Sequence, residues 1–305
     1  MAQSTFKDEF PNLIEPPAPP PETSGTAPGR GRLQGSRILV VGGGQSVNDF
    51  DPNPPIGNGR ATSVLLAREG ATVVVADISA EAAQQTVAAI NQEAIGKATA
   101  LTGDASTPEG CSAIIDQALA ALDGQLDGLV LNVGIVGAGP KFAKGSAEYW
   151  DRVFDVNLRS HYLFMQKAGP ILTKAQRGGA IVSISSVAAY LTSSPEPAYH
   201  ASKAAVQILV RNMAYELAPH VRVNSISPGL IDTPMGRSSG TRIKGRDASA
   251  VPLARQGTGW DIAYATLWLL SGESAFVTAT DIVVDGGRVG TSKGAKSIGQ
   301  GFEVS

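Results

Sequence analysis

The sequence predicts a single-domain α/β fold: a doubly wound parallel sheet with helices on both faces, three layers in the order αβα. Three observations predict it. From Arg37 onward, short β-branched apolar runs alternate with longer stretches of helical pattern. Most of the runs are almost continuously apolar, as expected of strands covered by helices on both faces. Their spacing fits right-handed strand–helix–strand crossovers. The predicted strands are Arg37–Val41, Thr72–Ala76, Lys97–Thr102, Leu126–Leu131, Ala180–Ser185, Val221–Ser227 and Ile282–Val284, with helices near 59–69, 80–94, 107–122, 147–175, 198–218 and 260–271. Such sheets bind ligands at the carboxyl ends of the strands, where the strand order reverses.

Composition narrows the class. The 305 residues carry a net charge of -2, with 43% hydrophobic and 17% charged residues, which fits a globular protein with a large core and gives no nucleic-acid footprint. A single cysteine, Cys111, excludes an internal disulfide framework and suits a reducing compartment, so a cytoplasmic location is expected. No apolar run reaches the roughly 18 residues of a membrane span, and the start, Met1 to Phe10, lacks the pattern of a secretory signal. The three histidines, His161, His200 and His220, lack metal-ligand spacing, so no catalytic metal is expected. Residues 11–28 hold seven prolines, and residues 1–34 read as an extended arm, disordered or laid along a neighbouring subunit. The domain then covers 35–288, and 289–305 reads as a Gly- and Ser-rich tail.

The first strand runs into Val41-Gly-Gly-Gly44, and the next helix opens Ile56-Gly-Asn-Gly-Arg-Ala61. Glycines there permit positive φ and close approach to a pyrophosphate, for which the helix N-terminus supplies free N–H groups. Gly42, Gly43, Gly57 and Gly59, with Asn58 between the last two, are the candidate phosphate site. The second strand leads to Asp77, whose carboxylate can accept from an adenosine ribose diol and would repel a 2′-phosphate. Ile78 follows where an arginine would favour NADP, so NAD is the preferred cofactor. The spacing is unusual: Gly42 and Gly57 stand fifteen positions apart, eleven more than in Gly-x-x-x-Gly-x-Gly. The excess, centred on 46–54, carries Asp49 and Asp51 and reads as a stiff surface excursion that leaves the four glycines to close the site, the alternative being an excursion that folds over the cofactor or reaches a partner subunit.

Further along, Tyr199 and Lys203 stand four apart on a predicted helix, one turn apart on the same face. An ammonium beside a phenol lowers the phenol's pKa from near ~10 and lets it exchange protons closer to neutrality. Ser186, thirteen positions upstream, ends the fifth strand and could hold a substrate oxygen. Tyr-x-x-x-Lys alone is a common pattern; its weight comes from the fold around it.

With these residues in place, the chain resembles the short-chain dehydrogenase/reductase family over nearly all of 36–288, motif after motif in the family's order. The resemblance implies a Rossmann-type domain catalysing reversible hydride transfer between a secondary alcohol or ketone and NAD, and a homotetramer or homodimer formed through the helices near 147–175 and 198–218. It implies that Asp104 and Ala105 after the third strand meet the adenine. Leu131-Asn-Val-Gly134 stands for the family's Asn-Asn-Ala-Gly, retaining Asn132 and Gly134. Asn157 would hold a water in a proton relay, and Ser186, Tyr199 and Lys203 fill the catalytic positions. Pro228, Gly229, Ile231 and Thr233 would orient the nicotinamide carboxamide, and Val283-Val-Asp-Gly-Gly287 resembles the C-terminal strand signature. Lys203 would also bind the nicotinamide ribose.

Substrate-facing positions are expected from Ile135 to Pro140, from Val187 to Glu196 (with Tyr190 and Leu191), and from a lid at 234–250. The lid carries Met235 and the cations Arg237, Arg242, Lys244 and Arg246, which could meet an anionic substrate or remain in solvent. Two other classes stay open. A nucleotide sensor would bind NAD without hydride exchange, and a fold-related lyase or dehalogenase would fail to bind NAD.

Overall fold

The computed structural model describes residues 18–46, 53–93, 96–136, 145–192, 196–239 and 251–291. Strands β1 (Arg37–Val41), β2 (Thr72–Asp77), β3 (Lys97–Thr102), β4 (Gly128–Leu131), β5 (Gly179–Ile184), β6 (Val221–Pro228) and β9 (Asp281–Val284) form one sheet in the order β3-β2-β1-β4-β5-β6-β9. Every pairing is parallel. The order reverses at β1, whose last residue, Val41, pairs with Ala76 on one side and Leu131 on the other. A crevice therefore opens where the glycine cluster leaves the sheet. Two-residue strands β7 (Ile231–Asp232) and β8 (Gly257–Thr258) pair beside it.

Alternation along each strand builds the two cores. Leu39, Val41, Val74, Leu129 and Leu131 face one way, onto α4 (Pro108–Ala121), α6 (Ser160–Leu172) and α7 (Pro197–Leu217) through Ile114, Ile115, Phe164, Met165 and Val206. Ile38, Val40, Val73, Val75 and Val130 face the other way, onto α2 (Asn58–Arg68) and α9 (Gly259–Leu270) through Leu65, Leu66, Ala263 and Leu267. Ser79 caps α3 (Ala80–Gln92), Thr107 caps α4, and Thr258 with Asp261 forms a capping box on α9. The stretch expected as one helix over 147–175 is α5 (Ala147–Phe154), a π turn at Asp155–Arg159, then α6. The wider π turn is the kind of local departure that re-aims a side chain, here Asn157.

The leader departs from expectation. Residues 18–34 are not an isolated extended arm; they fold back on their own chain, with a short helix α1 (Pro21–Ser24). The physical reason is Glu69, buried at the end of α2, which accepts from the Arg30 and Arg32 N–H groups (3.0 and 2.9 Å) and from the Arg32 guanidinium (2.8 Å). A segment too poor in apolar residues for a core of its own thus has two of its backbone donors satisfied by one carboxylate. Arg68 donates to the Gly25 and Ala27 carbonyls and lies over the Trp260 ring, and Thr258 Oγ1 donates to the Thr23 carbonyl. Burial pushes the Glu69 carboxyl up, but the hydrogen bonds from Arg32 and Arg30 outweigh it and hold the group below its ordinary value.

Glu69→Ala leaves the Arg32 cation without its partner and should lower stability by about 3–5 kcal/mol in urea denaturation. Because the folded-state pKa is depressed, this contribution is present above the ordinary carboxylate range and disappears as pH falls through the lowered value. The gap between wild type and variant should narrow accordingly on acidification. Residues 1–17, 47–52, 94–95, 137–144, 193–195, 240–250 and 292–305, which include most of the expected excursion, lid and tail, lie outside the described residues.

Candidate active site

At the carboxyl end of β5, Ser186 has extended backbone and its Oγ accepts from the Ala188 N–H (3.1 Å), starting a short turn at Val187–Ala189. His200 donates from Nδ1 to the Ala188 carbonyl (2.7 Å), which fastens that turn to the first turn of α7. Pro197 opens α7 as its first residue, a position that suits its fixed φ and missing N–H, so Tyr199 is third in the helix. The partial positive charge of the helix N-terminus there favours a phenolate. Lys203 lies one turn deeper, 4% exposed, its Nζ 5.9 Å from the centre of the Tyr199 ring and donating to the Ile184 carbonyl (2.8 Å).

Burial lowers the Lys203 pKa from 10.5 to about 8. Between those two values the unfolded chain holds more protons than the folded one, so this lysine makes stability rise with pH across that window. Lys203→Met should lack the rise, which thermal unfolding from pH 8 to 10.5 would detect.

Asn157 is wholly buried; its Oδ1 accepts from the Ile135 N–H (2.8 Å), and its Nδ2 donates to the Ile135 carbonyl (2.9 Å) and to Ser202 Oγ (3.1 Å). It thereby clamps the chain leaving β4. A Cβ on Gly134 would lie 3.2 Å from Lys203 Nζ and 3.4 Å from Asn157 Oδ1, so Gly134, Asn157 and Lys203 meet around one small space. Sequence reasoning passed over two neighbours. Ser202 links Asn157 to the Tyr199 carbonyl (2.8 Å), and its signal was its place beside Lys203. His161, considered only as a metal ligand, is buried between Val133 O (3.1 Å) and Ser183 Oγ (2.6 Å). The carbonyl can only accept, so Nε2 carries the proton and Nδ1 accepts from the serine. Burial, then the Lys203 charge, pushes the His161 pKa down to about 3, leaving it neutral beside the lysine.

The glycines converge at the other end of the crevice. Gly42, at φ +77, and Gly43 donate to the Ala76 carbonyl (2.8 and 3.1 Å), and Asn132 Nδ2 donates to the Gly42 carbonyl (2.7 Å). A Cβ on Gly59 would fall 1.9 Å from Gly42 O and 2.7 Å from Asn132 Nδ2. The two halves of the loop therefore touch despite the long spacing between them. Asp77 accepts from Gly44 N (2.9 Å) and Ser79 N (3.1 Å), while Ser79 Oγ, not Asp77, caps α3. Gly44, absent from the expected set, is needed here: its Cβ would meet Asp77 Oδ2 at 2.6 Å. Ile78 beside it is exposed.

Asp104 accepts from Ser106 N (2.8 Å), a bond that holds its carboxyl below the ordinary value, and Ala105 is buried. Pro228 ends β6, Gly229 donates to the Val284 carbonyl (2.9 Å), Ile231 is buried in β7, and Thr233 Oγ1 accepts from Gly236 N (3.0 Å) at the start of α8 (Pro234–Ser239). Arg237 is held by Asp232 in a two-point ion pair (2.7 and 2.8 Å). Tyr190 donates to Asp281 (2.8 Å) and Met235 is exposed. Among the described residues no cluster of His, Cys, Asp and Glu could hold a metal ion, and no helix is long and apolar enough to cross a membrane.

A doubly wound sheet with a glycine cradle at its switch point and a serine, tyrosine and lysine grouped at the end of β5 defines a class of nicotinamide-dependent oxidoreductases. The family model described as Enoyl-(Acyl carrier protein) reductase matches residues 56–288. Cyclopentanol dehydrogenase of Comamonas sp. is 36% identical over 260 residues, 84% of this chain and 98% of the relative. Among solved structures, 7α-hydroxysteroid dehydrogenase complexed with NADH and 7-oxo glycochenodeoxycholic acid superposes with a TM-score of 0.75 at 32% identity, covering 86% of this chain and 98% of that one. A short-chain type dehydrogenase/reductase from Mycobacterium marinum gives 0.75 at 31% identity, covering 84% and 96%. The chain belongs to the short-chain dehydrogenase/reductase family.

Proposed function

We propose that this protein interconverts a secondary alcohol and a ketone with NAD as hydride carrier, with Tyr199 as general acid/base. The observation that carries the reading is the buried Lys203 held between the Ile184 carbonyl, the Tyr199 ring and the space over Gly134. The residues of the cradle, Gly42, Gly43, Gly57 and Gly59, fit the cofactor: added Cβ atoms would run into neighbouring protein atoms at Gly42 (2.8 Å), Gly43 (2.9 Å) and Gly59 (1.9 Å), so only glycine lets the turn after β1 and the start of α2 pack this closely and leave their backbone bare. Asn58 Oδ1, buried at the cradle's rim with no partner among the described residues, belongs to an amide that could turn its Nδ2 toward a phosphate. Asp77 would take the adenosine ribose hydroxyls, with Asp104 and Ala105 beside the adenine. Asn132, Gly134, Pro228, Gly229, Ile231 and Thr233 would line the nicotinamide end. When bound, the nicotinamide ring accepts or gives up the hydride.

In the oxidation direction the Tyr199 phenolate takes the hydroxyl proton, favoured by the Lys203 ammonium and the start of α7. Lys203 would also hold the nicotinamide ribose. Ser186 Oγ orients the substrate oxygen. Asn157, fixed by Ile135, keeps an Oδ1 lone pair for a water that carries the proton outward. The negative charge of Asp77 and the absence of an arginine at Ile78 favour NAD over NADP. A spectrophotometric screen of secondary alcohols and ketones with NAD and NADP in parallel tests the reading. Cyclopentanol and a bile-acid 7-ketone, named with the relatives, place the reacting carbon in a saturated ring, so alicyclic substrates come first. NAD binding without hydride exchange across that set would favour a sensor, and failure to bind NAD a lyase.

The reading includes a homodimer or homotetramer. Ile208 and Tyr215 on α7 are 62% and 82% exposed, beside a shallow groove lined by Phe154, Leu158, Tyr162 and Leu209. Exposed apolar side chains contributed by α5, the π turn, α6 and α7 together suit burial against a second copy; sedimentation velocity of the full chain checks it.

A further inference from the structure

We propose that Gln45 is a positioning residue for the dinucleotide pyrophosphate: its side chain ties together the two ends of the lengthened glycine loop. The proposal rests on the cofactor reading of the cradle. Gln45 and Gly57 flank the extra residues; taking out 46–56 would leave Gly42-Gly-Gly-Gln45 followed by Gly57-Asn-Gly59, the spacing of Gly-x-x-x-Gly-x-Gly. Across that gap Gln45 Oε1 accepts from the Gly57 N–H at 2.9 Å. The side chain also packs along Gly57, where an added Cβ would lie 3.6 Å from Gln45 Cγ.

The bond falls where it sets the helix without using up its donors. Gly57 is the residue capping α2, and the first intrahelical bond runs from Ala61 N to Gly57 O (2.9 Å). The amides of Asn58, Gly59 and Arg60 precede any intrahelical partner, and it is this turn that an anion meets. Gly57 N–H lies one residue outside the turn. Upstream, Gly42 and Gly43 are held by Ala76 O and Gly44 by Asp77, so the chain is anchored as far as Gln45. Downstream, α2 begins at Asn58. Gln45 joins the anchored part directly to the helix start. For a chain without stiffness of its own the closure probability falls as roughly the three-halves power of length, so going from four positions to fifteen sets a scale of about sevenfold. A single hydrogen bond is of the size needed to offset this.

Gln45→Met keeps the length and apolar stem and removes the acceptor. NADH and ADP-ribose titrated calorimetrically should each bind about five- to tenfold more weakly to the variant, by the same factor, since both carry the pyrophosphate. In a chain lacking 46–56, where a peptide bond replaces the tie, Gln45→Met should have no effect beyond about twofold, within the spread of a single substitution away from a contact. Unchanged affinity in the full-length variant overturns the proposal, as does a loss for NADH that ADP-ribose does not share. Loss persisting in the shortened chain also overturns it. If the wild-type chain itself binds neither ligand, the cofactor reading fails, an outcome distinct from wild-type binding that Gln45→Met leaves intact.

Discussion

Tyr199→Phe is expected to lower turnover by about 10²–10⁴-fold, the range that a positioned general acid/base contributes, while NADH affinity stays within a small factor of wild type. The ring remains in place over Lys203, so packing in the first turn of α7 is retained and only the exchangeable proton is lost. The expected signature is a fall in kcat with an unchanged cofactor Kd, measured by stopped-flow hydride transfer and by NADH titration. A variant that keeps most of its activity would remove Tyr199 from the chemistry.

Gly59→Ala should be the most damaging single methyl in the nucleotide end. Alanine gains up to about 1 kcal/mol over glycine within a helix, yet the new Cβ would stand 1.9 Å from the Gly42 carbonyl oxygen and 2.7 Å from Asn132 Nδ2. Neither neighbour can step aside: the Gly42 N–H is bonded to Ala76, and Asn132 is bonded to Gly42 itself. Overpacking of this kind costs about 1–3 kcal/mol, enough to cancel the helical gain and push the two halves of the loop apart. The expected result is loss of measurable NADH binding together with a lowered thermal midpoint. Undiminished NADH affinity would show that the cradle is not the pyrophosphate site.

How far the site could be read in advance differed from residue to residue. Tyr199 and Lys203 were legible because helical periodicity puts positions four apart on one face, and α7 runs unbroken from Pro197 to Leu217. Strands β1, β2, β4, β5 and β6 were legible because near-continuous apolar runs carry the signature of burial on both faces. The edge strands β3 and β9 are only partly buried and were placed by the strand–helix alternation; β7 and β8, two residues each, carry no such signature. His161 was legible only as a residue without ligand spacing. Its neutrality beside Lys203 comes from partners 22 and 28 positions away in the chain, at Ser183 and Val133. Asn157 was expected as an inward-facing amide, but its grip on both the N–H and the carbonyl of Ile135 depends on the π turn that aims it.

The leader and the glycine loop mark the same boundary. Composition established that residues 18–34 could not make a core of their own, and spacing established that eleven extra residues interrupt the phosphate loop. Both are local properties, carried by proline, glycine and the order of residues. Where those segments go was decided by groups distant in sequence: the buried Glu69 carboxylate drew the leader onto its own chain through Arg30 and Arg32, and the Gln45 amide met Gly57 across the excess. Patterning thus established the layers, the strand ends and the chemistry that can gather there, because these follow from periodicity and residue type. Which unpaired backbone donors found which acceptors became definite only once the chain had folded, because the choice depends on distances that no sequence spacing encodes.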